Sequence, residues 1–289
     1  MSGGPARRGR GEAPLTPAQV RGHRGASRQT HGRPRLSVMP TTLWEYPSQQ
    51  YGAGGQGDQN YVGATPSWVI WQLLTRFTRE GDLVVDPMCG SGTTLDVARE
   101  MKRKALGYDV SPSREDVFRA DARKLPLEDG KADFVFVDPP YSTHVKYSDE
   151  PGCIGRLDAA DAGREYYRAM GEVIGEIARV MKPGAHMGLY VSDSYKKRAQ
   201  GSPLPAFMPI GFELFGMLRE RLEPVDVVCV VRHNAKLEKG NWRKAAEEGG
   251  FMLRGFNYLF ILRKGWAQEK GPGRRETRGP GSVVRGRRG

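Results

Sequence analysis

The sequence predicts an α/β domain on a doubly wound, mostly parallel sheet that ends in an antiparallel last strand pair. Three observations carry this. Short β-branched runs alternate with amphipathic helical patterns between residues 66 and 222, which is the pattern of strand–helix–strand units. A glycine turn at residues 87–92 joins one such run to the next helical stretch. The last two apolar runs, 225–231 and 256–262, are separated by about two dozen residues of weak helix propensity, which suits an antiparallel pair.

Each element has a local reason. Residues 66–78 place apolar side chains at helical spacing, begin with Pro66 and stop before Gly81, so they predict an amphipathic helix. Residues 82–86 are a short β-branched strand. The turn after it opens a helix over 93–104, with Thr93 or Thr94 placed to cap it. Residues 105–109 read as a strand, 113–119 as a helix, and 132–137 as a strand. A long helix over 165–181 is closed by Lys182-Pro183-Gly184, a strand follows over 186–191, and a further helix near 211–222 precedes the last pair.

The chain has 289 residues, with 45 Lys and Arg against 33 Asp and Glu, for a formal charge of +12. The whole excess lies at the ends: residues 1–36 carry +7 and residues 267–289 carry +5. Residues 37–266 are therefore a neutral body long enough for one core, flanked by two arms. Like charge in Gly/Pro-rich context predicts disordered, nucleic-acid-attracting arms. No apolar run is long enough to span a bilayer or to serve as a secretory signal. Cys89, Cys153 and Cys229 form no C-x-x-C pair, which predicts a reducing, cytoplasmic setting and no metal site.

Four places carry chemistry. The turn Asp86-Pro87-Met88-Cys89-Gly90-Ser91-Gly92-Thr93-Thr94 lets a ligand approach bare backbone at a helix N-terminus, and it lacks the lysine and spacing of a phosphate loop. Asp109 ends the next strand, 19 positions beyond Gly90, where a carboxylate can accept from both hydroxyls of a ribose. Asp121 lies before the following strand, within reach of an adenine amino group or as an ordinary loop carboxylate. Asp138-Pro139-Pro140-Tyr141 directly follows a strand; its two prolines make the loop stiff and turn carbonyls outward. Asp138 and a proline carbonyl can accept the two N–H bonds of a planar amine while Tyr141 stacks on its ring. Two such acceptors favour a pyramidal nitrogen with a localised lone pair, which is stabilisation aimed at a transition state.

The glycine turn and the Asp-Pro-Pro-Tyr tetrapeptide together resemble the S-adenosylmethionine-dependent amino-methyltransferases that modify N6 of adenine or N4 of cytosine in DNA, over roughly residues 40–264. The resemblance implies a Rossmann-like class I methyltransferase fold. It places the methionine part of S-adenosylmethionine at Asp86, Cys89, Gly90, Gly92 and Thr93, its ribose at Asp109, its adenine at Asp121, and the target amine at Asp138, Pro139, Pro140 and Tyr141. Tyr61 and Thr65, ahead of the first helix, match the family's additional cofactor-binding element, and residues 43–49 resemble a stretch found in such enzymes.

Unlike restriction-associated members, this chain leaves little room for a target-recognition domain. The candidates are 142–164, 196–209 and the insertion 232–254. In that insertion basic residues are interleaved with aromatics, so Arg232, Asn241, Trp242 and Arg243 are expected to contact nucleic acid, with a solvated hairpin loop as the plain alternative; His144 follows the catalytic loop closely enough to touch substrate, with a structural histidine as its alternative. DNA is favoured over RNA, with nucleoid association if DNA is the substrate. Methylation of an RNA base amine (adenine N6 or guanine N2) is the alternative, and a non-catalytic nucleic-acid-binding protein a third.

Overall fold

A computed structural model describes residues 33–58, 61, 63–144, 147–160, 164–196, 206–233 and 240–266. The expected basic arm before residue 33 and the tail from residue 267 lie outside the described residues. The chain runs β1 (Leu43–Trp44), α1 (Ser67–Phe77), β2 (Leu83–Asp86), α2 (Thr93–Glu100), β3 (Lys104–Asp109), β4 (Val117–Arg119), β5 (Ala132–Val137), α3 (Arg164–Val180), β6 (Met181–Val191), β7 (Ser194–Lys196), β8 (Ala206–Met208), α4 (Ile210–Leu218), β9 (Glu223–Val231), α5 (Gly240–Gly249) and β10 (Phe256–Arg263).

Eight strands form one sheet in the order β1-β9-β10-β6-β5-β2-β3-β4, and β7 and β8 form a separate hairpin. Strands β4, β3, β2, β5 and β6 are parallel. Strand β10 runs antiparallel to both β6 and β9, so β9 regains the direction of the parallel set. The chain order reverses at β2, whose neighbours are β3 and β5. Such a switch point opens a crevice beyond the carboxyl ends of the strands. Asp86 ends β2, Asp109 ends β3, and Asp138 directly follows β5.

Side-chain alternation builds the two cores. Val84, Phe134 and Phe136 face α1, where Trp68, Ile70, Leu73 and Leu74 are buried. Val85, Val135 and Val137 face the opposite layer of α3 and α4, with Val173, Ile177, Leu214 and Leu218. Successive strand residues point to opposite faces, so a strand covered on both sides is apolar throughout. Each fully buried aliphatic or aromatic side chain contributes roughly 1.5–3 kcal/mol.

Three local expectations are corrected. Residues 113–119 do not form a helix: Val117–Arg119 is strand β4, paired with Gly107, Tyr108 and Asp109. The polar stretch before it is tied down instead by Arg114, which donates to both Asp96 and Asp116. Neither Thr93 nor Thr94 caps α2. Gly92, at φ +77°, is the capping residue and makes no side-chain bond, while Thr94 Oγ1 donates to Asp86 at 2.6 Å. The insertion expected to be helix-poor contains α5, ten residues long. Lys182-Pro183-Gly184 does end α3, but as a bulge within β6: Met181 pairs with Ala132 and His186 already with Phe134.

Candidate active site

A cleft of about 1690 Å³ lies along the carboxyl edge of the sheet. It exceeds the ≈300–1,000 Å³ typical of a pocket for one small ligand. Its first half is built on the β2–α2 turn. Cys89 N donates to Tyr108 O and Gly90 N to Asp109 Oδ2, binding the turn to β3. Gly107 permits this approach, because a Cβ there would lie 2.5 Å from Cys89 Sγ. Tyr61 closes over the turn, its hydroxyl 3.0 Å from where a Gly90 Cβ would stand. Ser111 N donates to the other oxygen of Asp109.

Asp86, Cys89, Gly90, Thr93, Asp109, Asp121, Tyr61 and Thr65 all line this half; Gly92 lies behind it as the cap of α2. Asp121 is held by Arg123 at 2.5 Å. Burial pushes the Cys89 thiol well above its usual range, so it stays protonated and a poor nucleophile. The same carboxylate-rich half fits S-adenosylmethionine. Asp109 keeps lone pairs free for vicinal hydroxyls, Val110 and Ala122 offer apolar walls, and the bare turn admits a ligand against the backbone.

Asp138 stands at the centre of the cleft. Thr65 Oγ1 donates to its Oδ2 at 2.6 Å and the Tyr141 hydroxyl to its Oδ1 at 2.7 Å. Burial raises its pKa to about 7 against these two donors. Burial raises Asp86 to about 7 as well, with the Asp138 charge adding to the effect. The Pro140 carbonyl is occupied, accepting from the Tyr166 hydroxyl at 2.8 Å and from Ser142 N. Of the two proline carbonyls, Pro139 is the one without such partners among the described residues.

Thr65 was expected beside the cofactor, and its hydroxyl is on Asp138. Tyr141 was expected to present its ring to the target, and its hydroxyl is turned onto the same carboxylate. Its amide donates to the Tyr147 hydroxyl, and the Tyr147 ring lies against Gly155, where a Cβ would stand 2.6 Å from it. Tyr147, Tyr166 and Asn257, which lies 3.5 Å from the Tyr141 hydroxyl, are supports that carry no local motif.

Beyond Asp138 the cleft continues to Ser192, Asp193, Ser194, Tyr195, Arg232, Trp242, Phe251 and Arg254. Of the residues expected to meet nucleic acid, Arg232 and Trp242 line it. Asn241 and Arg243 are exposed on α5 outside it, and the side chain of His144 lies outside the described residues. Arg232 reaches the cleft because β9 runs parallel to β6 and ends at the same edge; Arg254 does so because β10 starts there. Topology of this kind is invisible to spacing along the chain.

Comparison with known proteins bears on the first half of the cleft. Residues 17–119 match the model of the DNA methylase family of N6 and N4 methyltransferases, a segment that includes the glycine turn and Asp109 and ends before Asp138. Over 48 residues the chain is 40% identical to the type II methyltransferase M.MjaI of Methanocaldococcus jannaschii, covering 17% of this chain and 16% of that protein. Over 95 residues it is 28% identical to the type II methyltransferase M.ScaI of Streptomyces caespitosus, covering 32% and 30%. The chain thus matches under a third of the length of these relatives. Among solved structures, TrmN from Thermus thermophilus superposes with a TM-score of 0.45 at 16% identity, over 70% of this chain and 50% of that one. The sequence matches support the resemblance to the DNA amino-methyltransferases, and the sheet order and switch point show the Rossmann-like fold in the chain itself.

Proposed function

We propose that this protein transfers a methyl group from S-adenosylmethionine to an exocyclic amino group of a base in DNA, N6 of adenine or N4 of cytosine. One observation carries the proposal: a half-buried carboxylate in an Asp-Pro-Pro-Tyr loop, gripped by two hydroxyls, opens onto the same cleft as a glycine turn and a strand-end acid.

The bound cofactor would supply a methyl group made electrophilic by its sulfonium. Asp86, Asp109 and Asp121 suit the charge and hydroxyls of such a ligand, with Tyr61 over the turn and Cys89, Gly90 and Thr93 along its path. Asp138 accepts one N–H of the target amine and the Pro139 carbonyl the other, which localises the nitrogen lone pair. The Tyr141 hydroxyl and Thr65 fix the plane of the carboxylate, and the Tyr141 ring walls the site. A base in duplex DNA must leave its stack to reach this depth, at a cost of roughly a few kcal/mol.

The test is to incubate the full chain with tritiated S-adenosylmethionine and either DNA or RNA, then identify the labelled nucleoside by mass spectrometry. Label in N6-methyladenine or N4-methylcytosine of DNA is expected. Label confined to RNA overturns the choice of DNA, and no label under conditions where cofactor binds would leave a non-catalytic binding protein.

A further inference from the structure

The cleft's described cations all lie in one half. Arg232 and Arg254 line the far side together with Asp193 and Glu248, whereas the glycine-turn side has Asp86, Asp109, Asp121 and Asp138 and no lining Lys or Arg among the described residues. A cationic cofactor is therefore favoured on the glycine-turn side, and guanidinium groups for a phosphate are offered on the far side.

The far half also has an unusual surface. The Arg254 guanidinium carbon lies 5.1 Å from the Tyr195 ring centroid and 5.6 Å from that of Phe207. Tyr195 in turn packs on Phe207 and on Phe251, at 5.3 and 5.7 Å between centroids. The cluster is therefore held from two places: the β7–β8 hairpin, with Tyr195 and Phe207, and the connection between α5 and β10, with Phe251 and Arg254. Arg254 Nη2 donates to Met252 O and, at 3.4 Å, to the Tyr195 hydroxyl, while its buried Nε has no hydrogen-bond partner among the described residues. Trp242, which lines the cleft, is 41% exposed, and Phe207, which adjoins the lining residues Tyr195 and Arg254, is 47% exposed.

We propose that this cluster is a nucleotide-binding subsite for an unpaired residue flanking the target base, with its phosphate at Arg232 and Arg254 and its base against Phe207 or Trp242. Guanidinium groups suit phosphate oxygens, and every base offers a π-face to an aromatic ring. The subsite rests on the reading of the cleft as a nucleic-acid methyltransferase site.

The experiment measures binding of the full chain to a fluorescein-labelled single-stranded oligodeoxynucleotide by anisotropy across a salt series. An RNA strand of the same sequence is run alongside, and S-adenosylhomocysteine affinity is measured by calorimetry. Phe207→Ala and Arg254→Gln are each expected to weaken DNA-strand binding about tenfold. Arg254→Gln should also lower the slope of log affinity against log salt by about 0.7, the value for one phosphate of a single strand. Both should leave S-adenosylhomocysteine affinity within a few fold, and Arg254→Lys should restore the salt slope but not the full affinity. Unchanged strand binding in both variants overturns the subsite even if the wild-type chain methylates DNA, and so does a wild-type chain that binds neither strand. A chain that binds strands through these residues yet transfers no methyl group overturns the catalytic reading and leaves the subsite standing. A variant that also loses S-adenosylhomocysteine binding is replaced by Phe207→Leu, for which the same tenfold criterion decides.

Discussion

Asp138 is set between two conflicting demands. In the proposed role it must be ionised to accept from an amine, yet burial holds its pKa at about 7 even with Thr65 and Tyr141 donating to it. Because the folded value lies above the ordinary carboxylate value, the protonated form dominates below about pH 7 and the carboxylate above it. Catalytic efficiency, kcat/KM for the cofactor, is therefore expected to rise as pH increases through about 7, since this quantity follows the free enzyme. Asp86 titrates in the same range and interacts with Asp138, so the rise belongs to the pair. The linked stability has the opposite sense: both groups favour the native state at low pH and lose that contribution as pH climbs from about 4 through about 7. A flat rate profile between pH 5.5 and 8.5 would remove Asp138 from the acceptor role. Asp138→Ala is expected to abolish transfer, by at least three orders of magnitude, while cofactor affinity measured by calorimetry stays within a few fold. Equal activity in that variant would refute the assignment.

Among the elements, the β2–α2 turn shows how backbone geometry carries the site. Gly92 adopts φ +77°, and a Cβ there would lie 2.6 Å from Arg114 Nη1. Arg114 cannot easily yield, because it is paired with Asp96 and Asp116 at 2.8 Å each. Gly92→Ala is thus expected to cost about 1–2 kcal/mol from the left-handed backbone alone. That lowers the melting temperature by roughly 2–8 °C and, by shifting the turn, weakens cofactor binding about tenfold. A variant with wild-type melting and affinity would show that the turn tolerates a side chain. The strand–turn–helix unit was legible because its signals are local: a β-branched run, then glycines, then helical periodicity. The strand β4 was not, since residues 113–116 look helical one by one and only pairing with β3 makes Val117–Arg119 extended. Asp138 was legible for the same local reason as the turn, while Tyr195 and Arg254 were not, because they meet only when β10 enters the sheet between β6 and β9.

At the scale of the whole molecule, the charge distribution separates attraction from choice. The body sums to zero, and the excess of +12 resides in the two ends. Sequence-independent attraction to phosphates is then expected of the arms, and selection of the base of the cleft. At the inner end of the first arm, Arg33 donates to the carbonyls of Gly52 and Gly54 and to Gln50, and the Tyr46 hydroxyl donates to Pro34 O. Residues 33–36 are thus part of the body, bracing the loop that leads to Tyr61 and Thr65, and a cut after residue 36 would disturb the cleft as well as the charge. Deleting residues 1–32 and 267–289 removes nearly all of the excess and spares these contacts. The truncated chain is expected to bind DNA more weakly at moderate salt, with a smaller dependence of log affinity on log salt, and to methylate the same base as the full chain. Nucleoside analysis of its product against the full-length product decides the matter: a changed base would mean that the arms take part in target choice, and an unchanged salt dependence that they do not meet the phosphates.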